Sequence, residues 1–247
     1  MPLKNAIRFQ SWPVDQAGSF VRNPEFLSPH PRLGLFVTTL AAGNMQEEAA
    51  RVRFLRKLDF DAKHLAVSYQ VHGKEIHVVR KIEDVPLNRA DGIDGWVAGR
   101  VQGVSLGVFI ADCLPIFLMH REEPMGALIH AGWRGLKAGI VEEAFRALTA
   151  EFHLEAGEIV AAIGPHVRSC CYQVGDDVAG QFPESWGLKK ESGCYLDLGK
   201  GAADKLLACG LEEVLVSTDC TKCAENPLFF SKRRGLKGAQ MALLAFS

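Results

Sequence analysis

GVFIADCLPIFLMHREEPMGALIHAGWRGL, Gly107–Leu136, holds two apolar runs, Leu114–His120 and Met125–Ala131, on either side of the polar, proline-ended stretch Arg121–Pro124. Both runs are rich in β-formers, and the break between them predicts a hairpin turning about Glu122 and Glu123. Such a hairpin sets Cys113 opposite the neighbourhood of His130 to Gly132, within reach of cross-strand and diagonal neighbours. A thiol and an imidazole brought together at a strand end, beside proline and glycine, are candidate ligands for a soft or borderline metal.

Working outward, Gly34–Leu40, Leu65–Val71, Ile76–Val79, Gly103–Ala111, Glu158–Ile163 and Glu213–Ser217 read as strands. Gln46–Leu58 reads as an amphipathic helix with Ala49, Val52 and Leu55 on one stripe. Val141, Ala144, Phe145, Leu148 and Phe152 fall at helical spacing, which predicts a helix from near Gly135 to Phe152. Ala202–Cys209 and Lys237–Phe246 complete the pattern as helices. The alternation predicts an α/β (α+β) fold, and 1–247 is read as a single domain. The 247 residues, 48% of them hydrophobic, suffice for a substantial core.

Twenty-eight Lys and Arg stand against 29 Asp and Glu, giving a net charge of −1 with the two signs interleaved. No footprint for nucleic acid stands out, so small-molecule partners are expected. The N-terminal stretch has no apolar core of signal-peptide length, and no apolar run is long enough to cross a bilayer. These features are read as those of a cytoplasmic protein with no membrane partner.

The third candidate ligand is His72, in YQVHGKEIHVV, which shares the setting of Cys113 and His130: the end of an apolar stretch beside a turn residue. His72, Cys113 and His130 together would hold one zinc and leave a coordination position open. Nothing local brings His72 to the hairpin. A lone histidine near a strand is more often a core or edge residue, and Cys113 with His130 alone would suit a metal-free cysteine hydrolase. His77 lies five residues from His72, on the opposite face of a strand, and reads as structural. His30, His64, His120, His153 and His166 lack a comparable glycine-bounded setting, although His166, in a GPH turn, could line a pocket. Asp112 adjoins Cys113 and could bond the backbone, orient a ligand, or carry a proton. Arg134, at the expected start of the middle helix, could grip an anion alongside unpaired backbone N–H groups.

Seven cysteines without an export signal argue for reduced thiols. Cys220 and Cys223 form a CTKC pair with no second pair at zinc-ribbon spacing. Cys170 and Cys171 are adjacent, and a vicinal disulfide there would be strained. All four, with Cys194 and Cys209, are read as packing residues.

QVHG (Gln70–Gly73), ADG (Ala90–Gly92), ADCLPI (Ala111–Ile116), HAGWRG (His130–Gly135), GPHVRSCCYQV (Gly164–Val174) and FFSKRR (Phe229–Arg234) resemble, in order, the motifs of the YfiH-like family. That family was once labelled multicopper polyphenol oxidase or laccase-domain and is now described as purine nucleoside phosphorylase with adenosine deaminase and methylthioadenosine phosphorylase activities. The resemblance implies zinc on His72, Cys113 and His130, purine nucleoside and phosphate as partners, and mixed β-sheets packed between helical layers, related to the catalytic domain of cytotoxic necrotizing factors. The chain departs from the family pattern at Val37–Leu55, which lacks the STRxGG run and has Val52 before Arg53 where an Asn-Arg pair is usual. The substrate wall around Asn44 and Arg53 is therefore altered. Gln173 stands where a glutamate is common.

A multicopper oxidase needs roughly ten histidine and cysteine ligands, usually with His-X-His pairs. Eight histidines and no His-X-His exclude that as the primary activity. The expectation is zinc-dependent phosphorolysis of adenosine, inosine or methylthioadenosine, with adenosine deamination possible at the same open metal position. The rivals are a Cys113–His130 hydrolase, for which the family has a link to peptidoglycan-precursor editing, and a non-catalytic zinc- or nucleoside-binding module.

Overall fold

The hairpin forms with the expected register: Leu114 lies opposite Ala131, Pro115 opposite His130 and Ile116 opposite Ile129. In the computed structural model, which describes residues 6–22, 33–223 and 227–246, this pair is the centre of a seven-stranded sheet. Across the sheet run Ala6–Gln10, Glu213–Ser217, Ile159–Ile163, Leu114–His120, Met125–Ala131, Gly95–Gly99 and Ile76–Val79. His30 lies outside the described residues.

A second sheet has five strands in the order Phe20–Arg22, Leu33–Thr38, Gln240–Phe246, Ser105–Ile110 and Leu65–Ala66. Phe117, Met119, Leu128 and Trp96 project from the first sheet against Leu35, Val108, Ile110 and Leu244 of the second. Leu114, Ile116, Leu118 and Ile129 point the other way, onto the helices Ile140–Phe152 and Leu198–Ala208 through Val141, Ala144, Leu148, Ala202 and Leu206. With both faces covered, the hairpin strands have no polar side to show, which is why they read as continuous apolar runs. The outer face of the second sheet is covered by Glu48–Lys57, whose Phe54 and Leu55 meet Phe36, Met241 and Leu243. Mixed sheets between helical layers are thus borne out. Smaller sheets are formed by Gln173–Val174 with Gly193–Leu196 and Gly187–Lys190, and by Ser68–Tyr69 with Ala90–Asp91.

Four local expectations are corrected. Gln240–Phe246, expected within a helix, is the central strand of the five-stranded sheet, paired on both sides. Its Ala, Leu and Met content favours helix in isolation, but buried between two strands it pairs its backbone on one side from Gln240 and on the other from Ala242, and the Met241 N–H is taken by the Thr38 hydroxyl. The middle helix breaks into Trp133–Ala138 and Ile140–Phe152 at Gly139, which sits at φ 88 in the left-handed region. Helix Glu48–Lys57 buries Ala50, Arg51, Phe54 and Leu55 in place of the stripe through Ala49 and Val52, because the Phe54 ring is the larger apolar surface to cover. The expected strand Leu65–Val71 is two short pieces, Leu65–Ala66 and Ser68–Tyr69, that belong to different sheets. No helix of the described residues is long and apolar enough to cross a membrane.

Candidate metal centre and its cavity

Each of the three candidate ligands ends a strand or follows one at a turn, and the fold brings their donor atoms within 4.8 Å of one another. Cys113 Sγ lies 3.9 Å from His72 Nε2, and the His72 and His130 rings meet edge to face at 4.8 Å between centroids. The three-way meeting that local sequence could not prove is made by Asp94, which sequence reasoning did not single out. Its carboxylate is fully buried and accepts the consecutive backbone N–H groups of Val71 (3.2 Å), His72 (3.1 Å) and Gly73 (2.7 Å). That cradle holds His72 at φ 62, a conformation few non-glycine residues adopt. The same carboxylate accepts His130 Nδ1–H at 2.9 Å, while His130 N–H donates to the Asp94 carbonyl at 2.8 Å. With Nδ1 committed, His130 has Nε2 left for a metal.

Gly132 explains the glycine of HAGWRG. A Cβ there would stand 2.9 Å from His72 Cδ2 and 3.2 Å from Cys113 Sγ, so the space is reserved for the ligands. The electrostatics also suit a cation. Burial opposes ionisation of the Cys113 thiol, but the charge and hydrogen bonds of His130 and His72 outweigh it and bring its pKa down to about 6. Burial likewise disfavours charge on His130, yet the Cys113 charge and the Asp94 carboxylate raise it to about 9. Asp94 is pushed up by burial and pulled down further by His130 and by the N–H groups of Gly73 and Val71, and stays below the usual carboxylate range. A thiolate and two imidazoles, one oriented by a buried carboxylate, are a donor set that fits zinc.

The triad opens into a cavity of about 230 Å³ whose wall includes Ser68, Tyr69, Gln70, Arg89, Phe109 and Lys232. A larger cleft of about 790 Å³ shares Gln46, Tyr69 and Arg89 with it and adds Arg51 and Arg56, but holds none of the three ligands. The smaller cavity is therefore where chemistry at the triad would occur, with the larger cleft beside it. Gln70 pins its segment to Phe109, donating to the carbonyl at 2.9 Å and accepting from the N–H at 2.7 Å. The Arg89 guanidinium lies 4.4 Å from the Phe109 centroid and 5.2 Å from that of Tyr69. Arg51 donates to the carbonyls of Met45 (2.9 Å) and Gln46 (3.0 Å), which fixes it under Phe109.

Other candidates are placed elsewhere. Asp112, at φ 90, accepts from the Thr221 hydroxyl at 2.7 Å and from the Arg233 backbone N–H at 3.0 Å. Of the roles open to it, the structure displays the bond to backbone: the carboxylate ties the turn before Cys113 to Thr221 and Arg233. Arg134 is exposed and stacks 4.3 Å from the Trp133 ring, outside the cavity wall. Its short helix spends Gly132 on the close approach to the ligands. Asn44 accepts the N–H groups of Ala239 (3.0 Å) and Gln46 (3.2 Å) and shapes a loop, and Arg53 lines neither cleft. The cations on the wall of the smaller cavity are Arg89 and Lys232, and Arg51 lines the cleft beside it. Sequence offered a faint signal for one of these: Lys232 lies in FFSKRR. His166 is fully buried, bonded to the Gly164 carbonyl at 2.8 Å, and lines neither of these two cavities. His77 packs edge to face on Trp96, 5.7 Å between centroids.

Known proteins resemble the chain over most of its length. Residues 42–247 match the family model described as multi-copper polyphenol oxidoreductase laccase. The chain is 34% identical over 212 residues to a protein named purine nucleoside phosphorylase YlmD from Geobacillus stearothermophilus, covering 79% of this chain and 76% of that one. It is 27% identical over 210 residues to a protein named adenosine deaminase RL5, from an unknown prokaryotic organism, covering 77% and 78%. The crystal structure of YlmD superposes with a TM-score of 0.81 over 95% of this chain and 98% of that one, at 28% identity.

Proposed function

Because the chain belongs to the YfiH-like family, the one whose model carries the laccase description, we propose that it is a zinc-dependent purine nucleoside phosphorylase that cleaves adenosine, inosine or methylthioadenosine with phosphate. The observation that carries this reading is the triad of His72, Cys113 and His130 at the wall of a cavity that also presents an aromatic ring and two cations. His72, Cys113 and His130 would hold the zinc, which when bound supplies a Lewis acid with a position open to an oxygen of the reactants.

The rest follows from the chain itself. Tyr69, exposed at the cavity wall, and the Arg89 guanidinium stacked on Phe109 offer flat surfaces of the kind a purine base uses. Arg89 and Lys232 supply positive charge for phosphate, and Arg51 extends that charge into the neighbouring cleft. As the bond from the anomeric carbon to the base nitrogen breaks, the sugar gains oxocarbenium character. A phosphate oxygen then bonds to that carbon, the electron pair of the broken bond leaves with the base, and the proton of hydrogen phosphate ends on the base nitrogen. Asp94 keeps His72 and His130 in place throughout.

Adenosine deamination is a second reading, supported by the similarity to the protein named RL5. The laccase label finds less support: the two groups of three or more potential metal ligands among the described residues are this triad and a cluster of four thiols. A plain Cys113–His130 hydrolase leaves His72 without a purpose, although its backbone is held at φ 62 and its ring lies against His130 and Cys113. The deciding assay incubates adenosine, inosine and methylthioadenosine with and without phosphate and separates the products. Phosphate-dependent free base and sugar 1-phosphate are expected, and their absence with all three nucleosides overturns the reading.

A further inference from the structure

Four cysteines read as packing residues from sequence are not buried apolar groups. Cys170 and Cys223 are exposed, Cys171 is half-buried, and only Cys220 is buried. The Gly164–Val174 loop and the turn after Glu213–Ser217 carry them to one place, where all four sulfurs lie within 4.8 Å of one another. Cys170 and Cys223 are 3.6 Å apart. Four sulfurs placed tetrahedrally about 2.3 Å from one zinc would stand about 3.8 Å from each other. We propose that Cys170, Cys171, Cys220 and Cys223 form a second metal site, a tetrathiolate zinc centre with a structural role.

The surroundings are those of such a centre. The Cys220 sulfur accepts backbone N–H groups from Arg168, Lys222 and Cys223, the bonds that stabilise charge on a metal-bound thiolate. The Lys190 ammonium reaches the Cys170 carbonyl at 3.4 Å and brings positive charge alongside. Binding releases four protons as four thiols become four thiolates on one divalent ion, with no change of oxidation state. A disulfide accounts for the cluster less well. It would use two sulfurs and leave two beside it, and a bond between the neighbours Cys170 and Cys171 is strained. Sequence hid the site because one half is an adjacent pair and not a second C-x-x-C.

Its position gives it a purpose. The two loops it would join are already linked by Thr221 N–H to the His166 carbonyl at 3.1 Å. Both then close on Asp112: Val167 N–H donates to its carbonyl at 2.9 Å, and the Thr221 hydroxyl to its carboxylate at 2.7 Å. Asp112 directly precedes Cys113. A zinc on the four thiols would therefore brace the turn that presents the triad's thiolate.

Metal content tests this independently of any activity. Protein expressed with zinc and purified reduced should hold two zinc ions per chain. Cys113→Ala, which clears the triad, should keep one, and X-ray absorption of that ion should show four sulfurs. Cys223→Ser in the native background should lose the same ion and keep the other. A folded Cys113→Ala protein that retains no zinc after equilibration and gel filtration overturns the proposal, as does absorption showing fewer than four sulfurs. Should Cys113→Ala fail to fold, native protein and Cys223→Ser decide the matter: one zinc ion fewer in Cys223→Ser supports the second site, and equal zinc content refutes it.

Discussion

His130 and Asp94 are joined twice, by Nδ1–H to the carboxylate at 2.9 Å and by backbone N–H to the carbonyl at 2.8 Å, so one residue sets both the backbone and the ring of the other. The carboxylate's remaining capacity goes to the N–H groups that hold His72. Asp94→Asn preserves the shape but turns two oxygen acceptors into one acceptor and one donor facing N–H groups. Zinc affinity should fall about 10- to 100-fold, the usual cost of losing the partner that orients a ligand. Stability should fall by about 3 kcal/mol, as when one member of a buried charge pair is removed. Competitive chelator titration and urea unfolding measure the two effects, and unchanged zinc affinity would contradict the role assigned to Asp94.

Gly132→Ala separates metal binding from folding. At φ −84 the backbone accepts alanine, so the cost is the contact of the new methyl with His72 and Cys113. The ligands must part by a few tenths of an ångström. Zinc at the triad should be lost or weakened at least tenfold, with Tm of the metal-free protein nearly unchanged. Calorimetry of the metal-free pair, with zinc content of the holoproteins, reads this directly.

The metal-free protein should show a reactive thiol at neutral pH. Cys113 titrates at about 6 and His130 at about 9, so between these values the pair is thiolate and imidazolium. Below about pH 6 the thiolate takes up a proton, and alkylation of Cys113 should slow about tenfold per pH unit. From pH 7 to 8 the rate should be flat, whereas an ordinary thiol, titrating near 8.5, would still be gaining. Iodoacetamide labelling resolved by peptide mass spectrometry gives the profile. A midpoint near 8.5 would mean that the ion pair does not form.

What the sequence disclosed and what it withheld have physical reasons. Cys113 and His130 were legible because a hairpin is local: its turn residues and two apolar runs fix the register, and the register fixes which side chains meet. The stretch at Gln240–Phe246 was not, since a short run buried on both sides lacks the alternation that separates strand from helix. His72 stood out by its glycine, but its convergence with the hairpin depends on Asp94, a single carboxylate whose importance lies in four hydrogen bonds from distant segments. Arg89 and Phe109 form the cavity wall across the junction of two sheets, where no periodicity signals a neighbour. Arg134 drew notice through its motif, yet its helix starts with the side chain turned onto Trp133.

Arg89 carries the sharpest test of the cavity. Its guanidinium stacks on Phe109 at 4.4 Å and donates to the Gln46 carbonyl at 2.7 Å, so it is held in place before any substrate arrives. A charge-assisted hydrogen bond to a phosphate oxygen contributes about 2 kcal/mol, which corresponds to roughly 30-fold in kcat/KM. Arg89→Ala should lose about that factor, mainly as a raised KM for phosphate, with zinc content at the triad intact. Arg89→Lys keeps the charge but gives up the planar stacking surface, so it should recover phosphate KM more fully than nucleoside KM. Steady-state kinetics with each reactant varied in turn separates the two contributions. If Arg89→Ala leaves both KM values as they were, the cavity beside the triad does not bind the reactants in the way proposed.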